Sequence, residues 1–203
     1  MKFFLKLAFL LGLTSSLASL TSSGVEAADL SVYGDLLSGP SSQVQSGKSP
    51  FELRLGAVAH DPKSPEASSA DLNAELLFGK LATSPDSFGN LLIPRPHIGA
   101  TINFIGRTSN VYAGVTWDVD IYRGLFLEGA FGGAANDGYG GLIVPAGHNA
   151  MGCNVSFRES ASIGYHIDEK WSVMATIEHY SNKGFCDRNR GLTNYGMRLG
   201  YAF

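Results

Sequence analysis

From about residue 51 to the end, the chain is written in period two. Alternating runs recur near 51–60, 70–79, 96–105, 110–119, 123–133, 150–167, 171–182 and 192–203, separated by turn residues. In one, Val111, Ala113, Val115, Trp117 and Val119 alternate with Asn110, Tyr112, Gly114, Thr116 and Asp118. In another, Trp171, Val173, Ala175 and Ile177 alternate with Ser172, Met174, Thr176 and Glu178. The last run sets Tyr195, Met197, Leu199, Tyr201 and Phe203 against Asn194, Gly196, Arg198, Gly200 and Ala202. One face is apolar, often with aromatic ends. The other is built from Gly, Ser, Thr, Asn and Arg, too small and too polar for a soluble core. Apolar outside and polar inside is the dyad pattern of a transmembrane β-barrel. Segments of ~10 residues match a bilayer crossing, and closure removes the strand edges that lipid does not tolerate. The expected fold is therefore all-β: an eight-stranded antiparallel barrel over residues 50–203, its interior filled by side chains rather than open as a pore.

Composition excludes most competing classes. Glycine is 25 of 203 residues, charged residues are only 16%, and the mean hydropathy of +0.05 is too low for a bundle of membrane helices. Fifteen basic against 18 acidic residues give no surplus for nucleic acid. A secreted β-sandwich also alternates. The final strand weighs against it, because a strand that ends on Phe203 resembles the assembly signal of bacterial outer-membrane barrels.

The N-terminus carries Lys2 and Lys6 ahead of an apolar stretch, Leu7 to Leu13, and Val25-Glu26-Ala27 has small residues at −3 and −1. A cleaved signal peptide over 1–27 is expected. The apolar stretch is too short for a membrane anchor. The exported compartment is oxidising. Residues 28–49 are read as an N-terminal arm. Leu30 to Leu37 could form a ninth strand, but bacterial single-chain barrels use even strand numbers. With the C-terminus on the periplasmic side, 134–149 becomes the largest external loop and 183–191 another. The 80–94 connection is long for a periplasmic turn.

Parity puts His179 and Ser181 on the lipid-facing stripe of strand 7, near its outer end. Polar groups there are costly, and an ionisable one is a functional hypothesis by default. Two residues apart on one strand face, a His and a Ser meet the nucleophile-plus-base requirement of acyl transfer. A harmless interfacial His beside a loop Ser is the alternative.

The segment His179-Tyr-Ser-Asn-Lys-Gly184, followed by Asn189-Arg-Gly-Leu192 and the closing Leu-Gly-Tyr-Ala-Phe, resembles the signature of outer-membrane lipid A 3-O-deacylases of the PagL type. The resemblance spans strands 6–8. It implies a serine esterase in the bacterial outer membrane that removes the 3-position acyl chain of lipid A, with lipopolysaccharide as its partner; no phosphate loop or nucleotide motif appears in the sequence, so no cofactor is expected. It makes Ser181 the nucleophile and His179 the base, and gives the oxyanion hole to Asn182 and the backbone N–H of Gly184. Members of the family form dimers, which leaves a homodimer open. A non-catalytic small barrel with a structural or surface-interaction role is the rival, and a phospholipase or general acyl esterase a third reading.

One position departs from the family. The Glu that orients the His, twelve residues after the nucleophile, is replaced here by Thr193. Loss of a triad acid costs roughly 10⁴ in kcat in the protease example. Glu159 is the candidate replacement, since it falls in the outward series of strand 6. If Ile167 faces Trp171 across the short turn, Glu159 lies opposite His179. Pairing of Glu159 with Arg158 or Arg198, or a bulge that turns it inward, are the alternatives. Cys153, near the outer end of strand 6, and Cys186, just after the catalytic segment, are expected to bridge and pin that loop; two free thiols are the other reading. His60, His97, His148 and His166 show no metal-ligand spacing, so no metal is expected.

Overall fold

A computed structural model describes residues 51–203. The signal peptide, the arm and the Leu30–Leu37 segment lie outside the described residues. The elements run β1 (Glu52–His60), β2 (Ser69–Leu77), α1 (Ser87–Leu92), β3 (Arg95–Asn103), β4 (Asn110–Tyr122), β5 (Leu125–Asn136), β6 (Val155–His166), β7 (Trp171–Ser181) and β8 (Leu192–Ala202). Each strand pairs antiparallel with the next, and β1 pairs with β8, from Glu52 opposite Ala202 to Ala59 opposite Tyr195, so the sheet closes into a barrel. Closure leaves no unpaired edge for lipid to solvate.

Burial follows parity. Along β7, Ser172, Met174, Thr176, Glu178 and Tyr180 are buried, while Trp171, Ala175 and Ile177 are exposed. The lumen is a solid charged core rather than a collection of small polar residues. Arg54, Arg158 and Arg198 interlock with Glu75, Glu128 and Glu178, and all six are buried. Glycine makes room for the larger side chains: a Cβ on Gly99 would lie 2.6 Å from the Tyr112 ring, and one on Gly164 would lie 2.2 Å from Phe126.

Three boundaries differ from expectation, each for a backbone reason. β4 and β5 are longer than their alternation suggests. Arg123 and Gly124, both at positive φ (44° and 86°), join them in a two-residue hairpin whose twist matches the strands. β6 begins at Val155 rather than 150, because Gly152 at φ +84° breaks the extended run. Met151 and Cys153 are therefore not on the lipid-facing stripe. Met151 is buried in an apolar cluster with Tyr112, Ala134, Tyr180 and Leu192. The 78–94 connection is long because it holds α1, started by Asp86, whose carboxylate accepts the Gly89 N–H at 2.6 Å. Trp117 Nε1 on β4 ties the helix end down by donating to Leu92 O at 3.0 Å.

At the opposite end from α1, the fully buried Glu66 gathers three loops. Its carboxylate accepts the Thr108 N–H at 2.9 Å, the Thr108 hydroxyl at 3.0 Å and the Asn149 N–H at 3.0 Å, and it pairs with His60 Nε2 at 2.8 Å.

Candidate active site

His179 and Ser181 occupy consecutive outward positions at the loop end of β7. His179 is half-buried. Ser181 faces outward by parity yet is only 6% exposed. Its register partner across the β6–β7 ladder is Phe157. The Phe157 ring lies 6.0 Å from Phe131 and 6.1 Å from Phe185, which gives the lipid side of Ser181 an aromatic surface. Ser181 Oγ carries no hydrogen bond among the described residues. Nucleophile and base often join only around bound substrate.

The imidazole is held from β8. His179 stands opposite Thr193, and its Nδ1 is 2.8 Å from Thr193 Oγ1. Thr193 thus takes the orienting position, but as a neutral hydroxyl. Gly191, at φ +72°, packs against the same ring, and a Cβ there would lie a tight 3.1 Å from His179 Cε1.

Glu159 lies directly opposite His179, and the Ile167 N–H donates to Trp171 O at 2.8 Å, the turn contact on which that register rests. Its carboxylate nevertheless does not go to the imidazole. Lys183, on the positive-φ turn after β7, takes it at 2.5 Å. Neither Arg158 nor Arg198 is involved, because both point into the lumen.

The expected oxyanion donors are occupied as well. Asn182 Nδ2 donates to Met151 O at 2.8 Å and to Arg188 O at 2.6 Å, and the Gly184 N–H donates to Asn182 Oδ1 at 2.9 Å. These bonds clasp the loop rather than leaving donors open. Asn189, not singled out in the sequence, accepts the Asn182 N–H on its Oδ1 at 2.9 Å and so fastens the backbone just after Ser181. Only its place in the motif could have drawn attention to it. Cys153 and Cys186 form a disulfide, with Cα atoms 6.1 Å apart, that ties the loop after β5 to the loop after β7. No group of three or more His, Cys, Asp or Glu suited to a metal ion occurs among the described residues.

The family model for lipid A 3-O-deacylase (PagL) matches residues 87–202, a stretch that holds α1, β3 to β8 and every candidate residue above. The chain belongs to the PagL family. Among solved structures it is similar to the outer-membrane enzyme PagL at 16% identity, with a TM-score of 0.57, covering 75% of this chain and 99% of that one. It is also similar to the N-terminal β-barrel domain of Pseudomonas aeruginosa OprF at 11% identity (TM-score 0.52, covering 77% and 99%). A designed transmembrane β-barrel matches at 10% identity (TM-score 0.50, covering 78% and 98%). At these identities the likeness is one of fold. No curated protein matches the sequence. The chain is thus a PagL-family barrel of the bacterial outer membrane. In such barrels short turns face the periplasm, so the loop end that bears His179 and Ser181 faces outward.

Proposed function

We propose that this PagL-family protein is a serine esterase that removes the ester-linked 3-position acyl chain of lipid A. The observation that carries this reading is a His and a Ser on the lipid-facing stripe, within the family-matched segment, at the leaflet where lipid A resides. His179 Nε2 accepts the Ser181 hydroxyl proton as Oγ attacks the acyl carbonyl. The imidazolium returns the proton to the departing sugar oxygen, and water then releases the fatty acid from Ser181. Negative charge on the carbonyl oxygen needs donors at this loop, the role the family motif gives to Asn182 and the Gly184 N–H, which substrate must draw out of their clasp bonds. The Phe131–Phe157–Phe185 surface receives the acyl chain. Residues 1–27 export the chain and are removed.

The test is the mass of lipid A from outer membranes carrying wild type or Ser181→Ala. Loss of one hydroxyacyl chain with wild type alone supports the esterase. Identical lipid A in both supports a non-catalytic barrel, the reading that Thr193 favours.

A further inference from the structure

An imidazole that becomes a cation during acyl transfer needs a negative charge to steady it, and Thr193 has none. The carboxylates around it differ in availability. Glu159 is engaged by Lys183. Glu178 points into the lumen, where Arg158 and Asn194 hold it. Asp61 is different. It is the first residue after β1, only 8% exposed, and stands against Thr193 from the neighbouring loop. Its Oδ1 accepts the Thr193 N–H at 3.2 Å, and its Oδ2 accepts from Asn149 Nδ2 at 2.7 Å. Its own N–H donates to Asn194 Oδ1 at 3.1 Å. No Lys, Arg or His lies within ion-pair distance of it among the described residues. A buried carboxylate held only by neutral donors is expensive. Its backbone, at φ 34°, is in a region that non-glycine residues rarely adopt and that recurs at functional sites. Asp61 lies outside the matched residues 87–202.

We propose that Asp61 supplies the charge missing at Thr193, acting through Thr193 as a positioning residue for His179. This rests on the esterase reading above. The His179 Nδ1–H donates to Thr193 Oγ1, and Asp61, bonded to the backbone N–H of the same residue, both holds Thr193 in place and lends its negative charge to that side of the ring. The proton taken from Ser181 stays on the imidazole until it passes to the leaving oxygen, and none is transferred to Asp61.

The experiment uses the full chain refolded in detergent micelles, with folding checked by its heat-modifiable mobility in SDS gels. Two reactions are followed: deacylation of purified lipid A, and covalent labelling of Ser181 by an alkyl fluorophosphonate. Asp61→Asn is expected to lower kcat and the labelling rate by ~10- to 100-fold, the usual cost of a partner behind a reacting group, with KM little changed. Asn149→Ala removes the other partner of the carboxylate but keeps its charge, and should cost far less. Glu159→Gln, the rival acid, should also cost less than Asp61→Asn. Installing Thr193→Glu should rescue the Asp61→Asn protein, which a merely structural role would not allow. Ser181-dependent labelling that Asp61→Asn leaves within twofold of wild type overturns the proposal alone, as does failure of Thr193→Glu to rescue. A wild-type chain that neither labels at Ser181 nor deacylates removes the esterase reading and the proposal with it.

Discussion

At the scale of single residues, the candidate site is a ring held between a hydroxyl and a glycine. A Cβ on Gly191 would sit 3.1 Å from His179 Cε1 and 3.1 Å from Tyr180 O, and the residue's φ is +72°. An added methyl presses on the imidazole and on the Tyr180 carbonyl, one of which must yield by a few tenths of an ångström, and the left-handed backbone costs a further ~1–2 kcal/mol for a residue with a Cβ. Gly191→Ala is expected to keep the barrel but displace the ring. Misplacement of about 1 Å costs up to ~10² in rate, so kcat for lipid A deacylation should fall by at least tenfold, measurable in the same micelle assay. The facing of His179 and Ser181 was legible, because a strand's period of two fixes which side each residue takes. The contacts of Gly191 and Asp61 were not. They come from loops folded across the barrel mouth, where no periodicity reports on neighbours.

At the scale of elements, three of the outward-facing loops, those after β1, β3 and β5, share one carboxylate. Burial pushes the Glu66 carboxyl up, but the bonds from His60, from the Asn149 and Thr108 N–H groups and from the Thr108 hydroxyl outweigh it and hold the group at about 2, against an ordinary 4.5. A depressed carboxyl contributes its stabilisation in full above about pH 4.5 and loses it as pH falls toward about 2. Over that window the loops after β1, β3 and β5 should loosen, seen as a rise in hydrogen exchange at Thr108 and Asn149. Glu66→Gln should already exchange faster at neutral pH and show a smaller change across the window. The β6–β7 register was legible because four residues join the two strands, and a short turn leaves little freedom for slippage. The start of β6 was not. Its alternation continues through Met151 and Cys153, and only the backbone of Gly152 reveals the break.

At the scale of the whole molecule, the lumen balances three arginines against three glutamates with almost no water access. Glu75 lies within ion-pair distance of Arg54, Arg158 and Arg198 together. Removing one partner of a buried ionic network leaves uncompensated charge and costs ~3–5 kcal/mol. Glu75→Leu should therefore unfold at markedly lower urea than wild type, read as loss of the heat-modifiable band, whereas Leu55→Ala on the lipid face should change it much less. The sequence carried the architecture because lipid outside and a packed polar inside impose opposite demands on alternate residues. It did not carry the lumen's wiring. Small and glycine positions read as filler, although several are sockets for Tyr112 and Phe126 on neighbouring strands.

The Cys153–Cys186 bond encloses all of β6 and β7 in one covalent ring, with the cysteines 33 positions apart in sequence. A chain oxidised in the periplasm before it reaches the membrane can no longer deliver these strands one at a time. The two strands must enter as one linked unit, with their joined outer loops leading and the turn between them trailing. Biogenesis and chemistry thereby share one bond: the link that restrains the loop beside Ser181 also sets the unit in which the barrel is assembled.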